Sequence, residues 1–152
     1  MNRSHNYLDY ANFNEERHRS NLNETKKNTA KWKDRVFEHE MTTMQAVDLF
    51  QNESLDFIYI DARHDYKAVW DDLEAWFPKL RKGGLFSGHD YVDADYYHLV
   101  KQGQNWSVSA DGTNNGKKAV ASAVNEFAVE IGVRVQTTKS LWFDSWYFLK
   151  PC

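Results

Sequence analysis

The sequence predicts an α/β domain on a mostly parallel sheet, and three observations carry that prediction. Phe57-Ile58-Tyr59-Ile60 is an uninterrupted apolar run between Asp56 and Asp61, the pattern of a parallel strand covered on both faces rather than of an alternating edge strand. Two helical stripes separate the strand-like pieces: Tyr66, Val69, Trp70, Leu73, Trp76 and Phe77 recur at helical spacing, as do Val120, Ala123, Val124, Phe127 and Ile131. Strand-like and helix-like pieces then alternate up to two closing strands joined by a short connection. That order suits a doubly wound sheet with an antiparallel final strand.

Composition narrows the class. The 152 residues make one domain, spanning 1–152. Aromatics at 15% exclude a disordered chain, which lacks such core formers. The single Cys, Cys152, excludes an internal disulfide and a cysteine-based zinc site. A net charge of −3 offers no basic surface for a nucleic-acid backbone. No apolar run approaches the roughly 20 residues of a membrane helix, and Met1–Asn14 lacks the apolar stretch of a signal peptide. A cytoplasmic domain with neither nucleic acid nor membrane as partner is expected.

The elements follow in order. Residues 1–14 read as an irregular N-terminal segment. Residues 15–31 carry mixed charge and few apolar positions, a solvated surface helix. Val36–His39 is a strand candidate. In Thr43–Phe50, Met44, Val47 and Leu49 or Phe50 fall on one helical face. Leu55–Ile60 is the buried strand. Asp65 is placed to cap the Tyr66–Phe77 helix, and Arg81-Lys82-Gly83-Gly84 is placed to end it. Leu85-Phe86-Ser87 is a short strand. Residues 91–117 form a long polar stretch, and loops of that length usually bind or cover something. A helix over 120–131 ends at Gly132, and Val133–Thr137 and Ser145–Leu149 close the sheet.

In open α/β sheets, ligands bind outside the carboxyl ends of the strands. Two polar clusters stand there: Asp61-Ala62-Arg63-His64-Asp65-Tyr66 after one strand, and Gly88-His89-Asp90-Tyr91 after the next. Asp61, His64, His89 and Asp90 are therefore the candidate catalytic residues, because carboxylates and imidazoles in one crevice can bind a divalent cation or move a proton. Asp and His at strand ends also serve merely as helix caps, as expected of Asp65. The Trp-rich stripe of residues 66–77, with Trp142, Trp146 and Tyr147, reads as packing.

The run from Asp56 to Tyr66, with Asp72-Leu73, Trp76-Phe77-Pro78-Lys79-Leu80, Gly83-Gly84 and Gly88-His89-Asp90-Tyr91, resembles class I S-adenosylmethionine-dependent methyltransferases, closest to methyltransferase domain family 24. The spacing matches over residues 55–91. More weakly, Asn6–Asn12 is similar to the segment after that family's second strand, and Val120–Ile131 and Trp146–Lys150 to its last helix and strand. The resemblance implies a Rossmann-like fold and methyl transfer from S-adenosylmethionine to a small-molecule acceptor. Mg²⁺ or another divalent cation could assist, with Asp61 and Asp90 at the positions that hold a metal in metal-using relatives. His64 and His89 would be bases or further ligands. Thr42 matches a small hydroxyl residue on the adenine side of the cofactor, and Asp61, Ala62 and Arg63 would complete the cofactor contacts.

The departures are as specific. The family's first strand should end in a Gly-rich turn, but the first glycine here is Gly83. The acidic residue for the ribose is missing, and Glu40-Met41 stands before Thr42 where a glycine is usual. The expectation is an N-terminally truncated domain lacking the first two strands of the family fold. The 55–60 strand would then expose an apolar edge, to be covered either by the 36–39 strand moving in to pair with it or by self-association with a second chain. Two other readings stand beside the enzyme: a non-catalytic remnant used in binding or assembly, and a metal-dependent enzyme that does not use S-adenosylmethionine.

Overall fold

The computed structural model describes residues 7–10, 14–140 and 142–152. Helix α1 spans Glu15–Thr29, and the Asn14 side chain accepts from the Arg17 amide at 2.9 Å. Glu15 and Glu16 in its first turn and Lys26 and Lys27 in its last complement the helix dipole. It buries no residue, as expected of a solvated helix. A 3-10 turn follows at Ala30–Trp32.

The strand expected at Val36–His39 does not form. The Val36 amide donates back to the Trp32 carbonyl at 2.9 Å, which holds the chain at the helix exit. Phe37 beyond it is 75% exposed rather than buried against a sheet. Helix α2, Thr43–Ala46, starts with a capping box in which Thr42 and Gln45 satisfy each other's backbone amides.

Next come β1 (Leu55–Ile60), α3 (Tyr66–Trp76), β2 (Leu80–Gly88), α4 (Tyr97–Lys101), α5 (Val120–Glu130), β3 (Gln136–Thr137) and β4 (Trp146–Leu149). The sheet order is β1-β2-β4-β3. Strands β1 and β2 are parallel, while β4 runs antiparallel to both β2 and β3. Arg81–Gly84 does not terminate α3 as expected but lies inside β2. The segment is irregular: Leu55 pairs with Leu80, yet Phe57 already pairs with Leu85. Gly83 takes a positive φ of 71° in this bulge, a conformation that favours glycine.

Helices α3 and α5 pack on the sheet face that carries Ile58, Phe86, Trp146 and Phe148, with Leu73, Val124 and Phe127 filling the layer between. Phe77 stands edge-on to both Phe86 and Phe127. Strand β1 is covered on one face only. It lies at the end of the sheet, and Phe57 and Tyr59, which share its other face, are 54% and 46% exposed. The long 91–117 segment is anchored rather than loose: Leu99 in α4 and Trp106 are buried in the same core. Among the described residues no helix is long and apolar enough to cross a membrane.

Candidate functional site

Strands β1 and β2 end side by side. Ile60 pairs with Gly88, and the His89 amide donates to the Ile60 carbonyl at 3.1 Å. Glycine is required at 88, since a Cβ there would lie 2.5 Å from both the Ile60 carbonyl oxygen and the Trp146 ring. Both polar clusters therefore leave the sheet at one level. Asp90 turns the second cluster with a positive φ of 54°, which Asp tolerates better than most residues.

The first cluster is built around Asp65. Its fully buried carboxylate caps α3 by accepting from the Ala68 amide at 3.2 Å and also accepts from Arg63 Nε at 2.7 Å. That anchor carries His64 inward, leaving it 8% exposed. The His64 Nδ1 lies 2.6 Å from Asp9 Oδ2. Its Nε2 lies 3.0 Å from Asp90 Oδ2 and 3.6 Å from Asp61 Oδ1. Neither approach to Nε2 is aligned as a hydrogen bond, so this buried nitrogen is held by charge proximity.

Burial pushes the His64 imidazole towards its neutral form, but Asp61, Asp9 and Asp90 outweigh that and hold its pKa up at about 11. In turn His64 keeps the Asp61 carboxyl below the usual carboxylate range, against the opposing effect of burial. In this state His64 is an imidazolium at neutral pH and takes up no further proton. His89 is the more open imidazole, its Nδ1 3.3 Å from Asp90 Oδ1.

Asp61, His64 and Asp90 each offer a ligand atom, all within 4.8 Å of one another, so these three could hold a metal ion. Thr42, Ala62 and Arg63 line one hollow of about 390 Å³. Asp61 and Ala62 line a second hollow of about 390 Å³ along the free side of β1, with Phe50, Tyr59 and Trp76. The hollows share Thr43, Ala62 and Asp72. Thr42 is already engaged as the cap of α2. The Arg63 guanidinium stacks 4.0 Å from the Tyr7 ring centre, and its Nη2 is buried without a hydrogen-bond partner.

Three residues of the cluster carry no local signature in the sequence. Asp9 and Tyr7 arrive from the N-terminal segment, with the Tyr7 hydroxyl donating to Asp9 at 2.7 Å. Trp106 arrives from the long loop and stacks on His64 at 4.3 Å between ring centres. Only the likeness of Asn6–Asn12 to a family segment pointed near the first two.

A family model for a methyltransferase domain matches residues 2–91, more than half of the chain and every residue of the cluster except Trp106. The chain belongs to the methyltransferase domain family. Solved structures agree on the Rossmann-like α/β fold. A protein from Corynebacterium glutamicum aligns at a TM-score of 0.55 and 13% identity, over 91% of this chain and 58% of its own. A candidate O-methyltransferase from Klebsiella pneumoniae aligns at 0.52 and 16% identity, over 88% of this chain and 58% of its own. The methyltransferase domain thus spans a little over half the length of each. No curated protein matches it.

Proposed function

We propose that this methyltransferase domain transfers a methyl group from S-adenosylmethionine to a hydroxyl of a small-molecule acceptor, at the crevice where β1 and β2 end. The observation that carries the reading is the convergence of Asp61, His64, His89 and Asp90 at the carboxyl ends of two adjacent parallel strands. S-adenosylmethionine, when bound, supplies an electrophilic methyl on a sulfonium. The residues present fit part of it: the hollows beside Asp61, Ala62 and Arg63 are open, and the buried Arg63 Nη2 is a donor without a partner. In the transfer the acceptor oxygen bonds to the methyl carbon as the carbon–sulfur bond breaks, leaving a thioether. In this reading His89, whose Nδ1 lies 3.3 Å from Asp90 Oδ1, takes the acceptor's proton. Two carboxylates and one imidazole would also suit a divalent cation at Asp61, His64 and Asp90, provided that binding displaces the proton from His64 Nε2, and such an ion would lower the proton affinity of a bound hydroxyl.

Titration with S-adenosylhomocysteine, with and without Mg²⁺, tests the reading. Binding is expected, with NMR shifts confined to Thr42, Asp61, Ala62, Arg63 and their neighbours. No shift at those residues at saturating concentration would overturn it. In a methyl-transfer assay over hydroxylated acceptors, Asp61→Asn or Asp90→Asn should slow turnover by about 10²-fold or more, the scale of lost acid–base assistance. Turnover unchanged by both would make the two carboxylates structural.

A further inference from the structure

We propose that Asp9 is a positioning residue of this site, the carboxylate that sets the ring of His64. The inference rests on the methyltransferase reading only for the purpose it gives His64; the geometry stands without it. Two segments far apart in sequence grip one imidazole. Asp9 Oδ2 meets Nδ1 at 2.6 Å, and Trp106 stacks on the ring face at 4.3 Å. The two grips are tied to each other. Leu8 and Asn105 form an antiparallel bridge, with amide-to-carbonyl distances of 3.0 and 2.7 Å, and the Tyr10 hydroxyl donates to the Gln102 carbonyl. Asp9 is itself held, accepting from the Tyr7 hydroxyl at 2.7 Å, while Tyr7 is pinned under the Arg63 guanidinium.

A carboxylate on one imidazole nitrogen fixes both the proton on that nitrogen and the direction of the other. With Nδ1 engaged by Asp9, Nε2 faces Asp61 and Asp90 rather than the core. Trp106 sets the ring plane but cannot choose between the two flipped orientations, because stacking does not distinguish the nitrogens. Asp9 makes that choice, and the clasp of residues 7–10 on the 102–106 loop delivers it.

The test uses NMR of the ¹⁵N-labelled chain and needs no methyl transfer. The intact protein should show a downfield Nδ1–H resonance for His64. Asp9→Asn should abolish it, and Asp9→Glu should restore it at a shifted position, with the signals of His18 and His39 unchanged. Tyr7→Phe, a milder change that leaves the carboxylate in place, should shift the resonance without removing it. Persistence of an unshifted resonance in both Asp9→Asn and Tyr7→Phe would overturn the proposal. So would its loss in Asp9→Asn without return in a folded Asp9→Glu, which would mark Asp9 as merely structural. A positive result beside a failed S-adenosylhomocysteine titration would leave the positioning role intact while removing the methyltransferase reading.

Discussion

Asp72 shows how a single residue can work against the fold that holds it. It sits on the buried face of α3, 3% exposed, and borders both hollows. Burial raises its carboxyl above the ordinary value, and the Thr43 side chain only partly offsets this. The folded pKa therefore exceeds the unfolded one, so any stability from this group is fully present below the unfolded pKa and is lost as pH rises through the folded pKa. At neutral pH the charge is a cost. Asp72→Asn should raise Tm at pH 7 by about 2–4 °C, the shift that about 1 kcal/mol gives in a chain of this size. The gain should shrink as pH falls towards 4, and calorimetry across pH reads it. A lower Tm at pH 7 would mean that the carboxylate has a charge partner. Legibility at this scale followed distance along the chain. Asp65 could be read as a cap because its partner, the Ala68 amide, is three residues away. The Asp9–His64 contact could not, because its 55-residue separation is closed only by folding.

At the level of elements, the amphipathic helices α3 and α5 were legible because a helix needs only a periodic apolar face, and their stripes recur without interruption. The strands were harder. Val36–His39 has apolar residues but no sheet to join, and the chain leaving α1 turns away. Arg81–Gly84 has the chemistry of a helix end, yet the 3-10 turn at Phe77–Lys79 had already ended the helix, and backbone hydrogen bonds of Gly83 and Gly84 with Lys150 draw the segment into β2. The end of β2 depends on Gly88. A methyl group there meets a backbone carbonyl on one side and the fully buried Trp146 on the other, neither of which can yield. Gly88→Ala should cost about 1–3 kcal/mol, the usual scale of overpacking, measured by urea denaturation. It should also separate His89 from the Ile60 carbonyl. An unchanged denaturation midpoint would show that β1 and β2 slide apart freely at this end.

For the molecule as a whole, the open side of β1 is the outstanding feature. Among the described residues no strand pairs with it, and Phe57 and Tyr59 stand stacked on its uncovered face. Unpaired backbone groups beside exposed aromatics favour pairing with another copy. Sedimentation velocity over a range of concentrations should show reversible association, suppressed by Tyr59→Lys, which adds charge at an exposed position. A single monomeric species at every concentration would overturn this expectation.

The class of fold, the main helices, the parallel strand of residues 55–60 and the four candidate residues at the strand ends were all readable along the chain. Each depends on local periodicity or on chemistry within a few positions of a strand end, and such patterns survive whatever the rest of the chain does. Tertiary structure alone decided that β1 is covered on one face only, that the long 91–117 loop packs into the core through Leu99 and Trp106, and that Asp9 reaches His64. It also decided the charge of the site. A histidine read in isolation titrates near neutrality, whereas one buried among three carboxylates stays an imidazolium. These outcomes depend on which distant surfaces meet, and that is set by the shared burial of the whole core rather than by any one stretch of sequence.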